Sequence, residues 1–171
     1  MEFFDVILKR RSIRAYQHKE IPEDIFLRIL ESARLAPSAS NLQPWKFIII
    51  KDEEHKKEVA RICKERMWIA GASVVIAGVA TNPDYRMGSG QSASQIDIST
   101  AFAQMTLTAV SEGLGTCWIG SFYMEEAKKY LGIPDKYPLV GFLTIGYPAE
   151  TPGPKERKKL EEITCSERWS E

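Results

Sequence analysis

The sequence predicts an α+β fold, on three observations. Segments with apolar residues at helical spacing outnumber strand-like segments. Three stretches, 47–50, 73–80 and 139–145, are continuous, apolar and rich in β-branched residues, as strands buried on both faces are. Helices and strands do not alternate in βαβ units, which disfavours a doubly wound parallel sheet.

Taken in order, residues 3–10 predict a short helix with Phe3, Val6 and Ile7 on one side. Lys9 and Arg10 lie at its end, where cations suit the helix dipole. Pro22, Glu23 and Asp24 open a second helix. Ile25, Phe26, Ile29, Leu30 and Ala33 form its apolar stripe, and Pro37 lies just past its end. After the strand at 47–50, Asp52 caps a helix expected to run to about residue 66, with Val59, Ile62 and Cys63 inward. Beyond the strand at 73–80, residues 81–93 are the longest polar, glycine-containing loop, either a lid or a mobile connection. Residues 94–112 predict a long helix whose apolar positions, from Ile96 to Val110, cover most of its circumference. Such a helix is buried in a core or in a subunit interface. Gly113 and Gly115 end it. A short helix at 124–131, the strand at 139–145 and a proline- and charge-rich tail at 148–171 complete the chain. Its 171 residues, without internal repeat or linker, are expected to form one domain over 1–171.

Composition excludes several function classes. The 23 Lys and Arg balance 23 Asp and Glu, so a nucleic-acid or polyanion binder is disfavoured and any basic cluster needs a local explanation. Cys63, Cys117 and Cys165 lack metal-ligand spacing, and an odd count makes a poor disulfide framework. A reducing cytoplasm is the simpler setting. His18 and His55 are too isolated for a histidine-rich metal site. Charges interrupt the apolar residues at the N-terminus, unlike a signal peptide, and the most apolar run, around 70–80, is too short to span a membrane. A soluble cytoplasmic protein is expected.

Four segments carry chemistry. Arg10, Arg11, Ser12 and Arg14 place three guanidinium groups and a hydroxyl within five residues, a set that suits a phosphate; in isolation it also reads as a solvated basic turn. Residues 37–45 form a loop of small polar residues bracketed by Pro37 and Pro44, with Trp45 opening the next strand as a core residue. Residues 113–120, G-L-G-T-C-W-I-G, read either as a glycine-containing backbone that a planar ligand can approach or as a helix cap followed by a strand. Cys117 within it has no nearby base and is read as packing, not as a nucleophile. The fourth segment, G-Y-P-A-E at 146–150, precedes Lys155 and Arg157, which suit a phosphate reached from the far end of the chain, while Lys158 and Lys159 read as solvated.

In this order, R-R-S-I-R-x-Y, P-S-A-S-N-x-Q-P-W, G-L-G-T-C-W-I-G and G-Y-P-A-E with a following basic L-E-E resemble the FMN-dependent nitroreductase family, over about residues 3 to 163. The resemblance implies an α/β sandwich with a central, mostly antiparallel sheet flanked by helices. It implies an intertwined homodimer with FMN at the subunit interface. Arg10, Arg11 and Ser12 then hold the FMN phosphate or ribityl chain, with Arg157 and Lys155 helping, and Arg14 lies near the pyrimidine edge. Pro37, Ser38, Ala39, Ser40 and Asn41 match the loop that lines the ring from the other subunit, with Gln43 among the contacts. Ile119, Gly120 and Ser121 match the backbone facing flavin N5. Lys159 departs from the proline common in similar proteins. The implied activity passes reducing equivalents from NADH or NADPH through flavin N5 to a small organic acceptor, a nitroaromatic, quinone or similar compound, by a ping-pong scheme with no protein nucleophile and no metal. Tyr85 and Arg86 in the 81–93 loop are candidate substrate contacts. Reductive dehalogenation, fragmentation of the flavin, and a non-catalytic FMN-binding module remain the alternatives. No dinucleotide fingerprint is present, so the nicotinamide preference stays open.

Overall fold

Four strands pair antiparallel throughout in the computed structural model, which describes residues 2–169. They are β1 (Trp45–Ile50), β2 (Val74–Ala80), β3 (Gly115–Ile119) and β4 (Leu139–Gly146), ordered β1-β2-β4-β3. Five helices surround them: α1 (Phe3–Lys9), α2 (Glu23–Arg34), α3 (Glu53–Ile62), α4 (Ala93–Ser111) and α5 (Met124–Leu131).

Both faces of the sheet are covered, which explains why β2 and β4 are apolar without alternation. Val74, Ile76, Leu143 and Ile145 pack against Phe26, Ile29 and Ala33 of α2 and Ile98, Phe102 and Met105 of α4. The intervening residues Val75, Ala77 and Phe142 pack on the opposite face against Val59 and Ile62 of α3 and Ala127 of α5. Gly78 and Gly141 are register partners, and neither has room for a side chain. A Cβ at 78 would lie 2.7 Å from Ile98 and 2.8 Å from the Phe102 ring; one at 141 would lie 2.6 Å from the Trp118 indole nitrogen. The missing side chains let α4 settle close to the sheet, and Phe102 meets Trp118 edge-on at 5.7 Å between centroids.

Residues 115–119 form a fourth strand, in agreement with the reading of this segment as a helix cap followed by a strand; pairing with β4 from Gly115 opposite Gly146 to Ile119 opposite Phe142 makes them a sheet edge. Several elements depart from the sequence expectation. The helix begun by Asp52 stops at Ile62, because Lys64 and Glu65 take left-handed backbone angles. Strand β1 opens at Trp45, as the 37–45 segment implied, and extends the apolar run at 47–50 by two residues; Trp45 pairs with Ala80 and stacks on Phe47. On α1 only Val6 is buried; Phe3 and Ile7, expected inward, are exposed with Phe4 and Leu8. Helix α4 buries one face, but Ile96 and Ala103 lie outside. It closes as expected, with Gly113 left-handed and the Leu114 N–H donating to Ala109 O at 2.8 Å.

Candidate functional site

The Arg-rich segment leaves α1 and runs beside the outer edge of β3. Ser12 bridges Thr116 in parallel, and the Ile13 N–H donates to Thr116 O at 2.9 Å. The Ile13 side chain is buried directly over Gly115, where a Cβ would collide with it. With Ile13 anchored inward, the extended backbone turns Ser12 and Arg14 to the other side. Arg10 and Ser12 line a cavity of about 250 Å³ with Phe102, Thr106, Leu107 and Trp118. Arg11 is engaged differently. Its Nη1 donates to Leu8 O and Arg10 O, both at 2.8 Å, closing the C-terminus of α1. Its Nε is buried and finds no acceptor among the described residues.

Arg14 is engaged by two residues distant from it in the chain, Glu150 and Trp68. Its backbone N–H donates to the Glu150 carboxylate, and its guanidinium lies 6.0 Å from the Trp68 ring. Arg66 donates from Nη1 to Ser121 O at 3.3 Å, so the 119–121 turn is fastened to the same neighbourhood. Beneath, the Tyr16 hydroxyl shares a 2.7 Å hydrogen bond with Thr144 Oγ1, and burial pushes its phenol far above the ordinary range. Burial also raises the Cys117 thiol, against the opposing pull of Arg14. Cys117 therefore stays protonated at neutral pH, in line with its reading as a packing residue. Gly120 is exposed, and a Cβ added there meets nothing within 4 Å.

The loop at 37–43 is a strained, self-bonded turn. Ser40, Asn41 and Gln43 have φ of 51°, 54° and 50°, a region that non-glycine residues occupy at a cost. Ser38 organises it: its Oγ accepts from the Gln43 N–H at 2.9 Å and its carbonyl from the Asn41 N–H at 3.0 Å. The Ala39 N–H donates to Oδ1 of Asp97 on α4 at 3.0 Å. Ser40 Oγ and Tyr85 Oη are 2.7 Å apart, so the 81–93 loop is docked on this turn. That loop is itself closed by an Arg86–Ser92 bridge and by the Met87 N–H donating to Gln91 O at 3.0 Å.

The fold brings 10–14 together with 115–121 and Glu150, and it brings 38–43 together with Tyr85. No hydrogen bond or ion pair joins these two groups among the described residues. Lys155 and Arg157 are exposed and make no hydrogen bond or ion pair among the described residues. Asp97, Arg66 and Trp68 escaped the sequence reading, which also assigned Glu150 no role. Asp97 had a legible signal, being the only charged residue of α4; Arg66 and Trp68 had none. A larger cleft of about 670 Å³ lies between Lys19, Glu23, Phe26, Lys51, Lys56 and Ser73; no residue of 10–16, 37–45, 113–120 or 146–150 lines it, although its wall residue Gln17 bonds to Tyr147 and Pro148. No cluster of three or more His, Cys, Asp or Glu that would hold a metal occurs among the described residues.

The chain is similar to known proteins in sequence and in fold. The Nitroreductase family model matches residues 7–81 and 66–147. A protein of Archaeoglobus fulgidus named as a putative NADH dehydrogenase/NAD(P)H nitroreductase is 33% identical over 153 residues, covering 87% of both chains. The FMN reductase (NAD(P)H) of Bacillus subtilis is 28% identical over 186 residues, covering 98% of this chain and 74% of its own. The crystal structure of a nitroreductase family protein from Clostridium novyi NT superposes with a TM-score of 0.83 at 33% identity, over 91% of this chain and 89% of that one. This chain belongs to the nitroreductase family.

Proposed function

We propose that the chain is an NAD(P)H-dependent FMN oxidoreductase that passes reducing equivalents to a small organic acceptor, working as a homodimer. The observation that carries the reading is the Ser12–Thr116 bridge, which joins the guanidinium-rich segment to the glycine-containing backbone at 115–121. Family membership and the FMN reductase among its relatives support the cofactor.

The residues present fit FMN. A dianionic phosphate matches Arg10, which lines the cavity beside Ser12, and the Arg11 Nε that has no acceptor. The open backbone at Gly120 admits a planar ring. When bound, FMN supplies a two-electron carrier that takes and returns hydride at N5. The chain supplies placement and charge. Arg10, Arg11 and Ser12 grip the phosphate and ribityl end, with Lys155 and Arg157 arriving on the tail. Arg14 sets positive charge beside the pyrimidine edge, where negative charge accumulates on reduction. Residues Ile119 to Ser121 would face N5. Pro37 to Asn41 and Gln43 of the second copy line the ring, which accounts for the separation of that loop from Arg10–Arg14 within one chain. Tyr85 and Arg86 lie at the acceptor side. Nicotinamide and acceptor would use the same face in turn, which predicts ping-pong kinetics.

Exposed apolar side chains support the dimer. Phe3, Phe4, Ile7 and Leu8 on α1, Ile96 on α4, and Leu160, Ile163 and Trp169 on the tail all face outward in the single chain.

The test is a visible spectrum of the purified protein, followed by anaerobic addition of NADH or NADPH. Flavin absorption that bleaches with either nucleotide is expected. Flavin that stays oxidised with both would leave a binding module or a different electron donor. A protein that takes up no FMN on soaking would overturn the cofactor assignment.

A further inference from the structure

Asp97 is 3% exposed and is the only charged residue in the nineteen of α4. A buried carboxylate is costly unless a specific partner compensates it. Helix capping does not explain it. The N-cap is Ser92, so Asp97 lies beyond the first turn, where the helix dipole has faded. A saturated polar network does not explain it either, because Oδ2 is buried with no partner among the described residues. Its one partner is the Ala39 N–H, at 3.0 Å on Oδ1.

That amide belongs to the strained loop. The other bonds of its leading half are internal, from Ser38 and Ala39 to residues 41–43, apart from the Ser40–Tyr85 contact with an exposed hairpin. The Ala39–Asp97 bond is thus the tie between this turn and a rigid element, and three left-handed non-glycine residues follow it within four positions. We propose that Asp97 is the positioning residue of the flavin-facing loop: its Oδ1 anchors the Ala39 amide to α4, holding Ser38–Gln43 in the shape that the ring requires. The proposal rests on the FMN reading for the identity of the ligand, not for the anchoring itself.

The orphaned Oδ2 sharpens the test. An asparagine keeps the accepting oxygen and removes the unpaired charge, so D97N is a conservative rescue, while D97L removes the acceptor at similar volume. Ala39→Pro removes the donor from the other side. It is tolerated by the backbone, since Ser38 is already extended and residue 39 opens a turn. Amide exchange at Ala39 is measured without flavin by NMR, and FMN affinity is measured by quenching of flavin fluorescence. In D97N both stay within about threefold of the parent; in D97L exchange quickens and FMN binding weakens by about tenfold, the worth of one charge-assisted hydrogen bond. A39P weakens FMN to the same degree as D97L, and the double variant is no worse than either single one. The anchoring is overturned if D97L keeps slow exchange at Ala39, or if D97N loses as much as D97L. Faster exchange in D97L with unchanged FMN affinity would overturn the link to the flavin. Should D97L fail to fold, A39P and D97N carry the comparison. A parent protein that binds no FMN would refute the flavin reading and the ligand half of this proposal, while the exchange result would still decide the anchor.

Discussion

Arg11 and Cys117 both have sequence surroundings that invite chemistry, and burial decides what each does. Arg11 spends Nη1 on the carbonyls that end α1, leaving Nε as its unsatisfied donor. The Cys117 thiol is raised by burial, and that of Cys63 is pushed up to about 12 by the same cause, while Cys165 is exposed. Brief treatment with iodoacetamide at neutral pH is therefore expected to label Cys165 alone; mass spectrometry finding the label on Cys117 would contradict its burial. Asp52 gives a pH-dependent effect of known sign. The His55 N–H that it accepts at 2.9 Å holds its carboxyl below the ordinary value. Its contribution is present above the unfolded value of about 3.9 and disappears as pH falls through the lower folded value. Asp52→Ala should lower the Tm by roughly 2–4 °C at pH 7, with the gap closing below about pH 4. A gap that stays constant down to pH 2 would rule out capping by the ionised carboxylate.

At the scale of elements, the docking of α4 on the sheet is set by absent side chains. Gly78→Ala would force a methyl into Ile98 and Phe102, both fully buried and unable to swing into solvent. The expected loss is about 1–3 kcal/mol, read as a lower urea midpoint at unchanged m value; an unchanged midpoint would mean that helix and sheet are not in close contact there. The 81–93 loop, read from sequence as a lid or a mobile link, carries the Arg86–Ser92 bridge and meets Ser40 through Tyr85. Helix ends were largely legible because caps and stops are local: Asp52 begins α3, Gly113 closes α4 and Pro37 follows α2. The end of α3 was not, since nothing in Lys64-Glu65 announces left-handed geometry. For β3 the sequence offered a strand as one of two readings, and its place at the sheet edge comes from its pairing with β4.

For the whole molecule, the tail is the least self-sufficient part. Beyond Glu150 nearly every described residue is exposed, including Leu160, Ile163 and Trp169. Apolar residues arranged this way need a partner surface, and in the proposed dimer the exposed faces of α1 and α4 on a second copy would supply one. Light scattering is expected to show a dimer for the full chain. Removal of residues 151–171 should shift it toward monomer or aggregate and weaken FMN binding by at least about tenfold, the tail cations being lost with the contact. A full chain that is monomeric at micromolar concentration would end the dimer proposal.

From the sequence alone came the α+β class, most helix and strand positions, the four motifs and the family they resemble, because side-chain periodicity, capping and motif spacing are written over short stretches of chain. Tertiary structure decided which motifs meet. Arg14 and Glu150 stand 136 positions apart and are joined only because β3 and β4 pair in one register and 12–16 run alongside. Arg66 reaches Ser121 and Asp97 reaches Ala39 for the same reason: each contact depends on where sheet and helices dock, a property of the folded chain and not of any window within it.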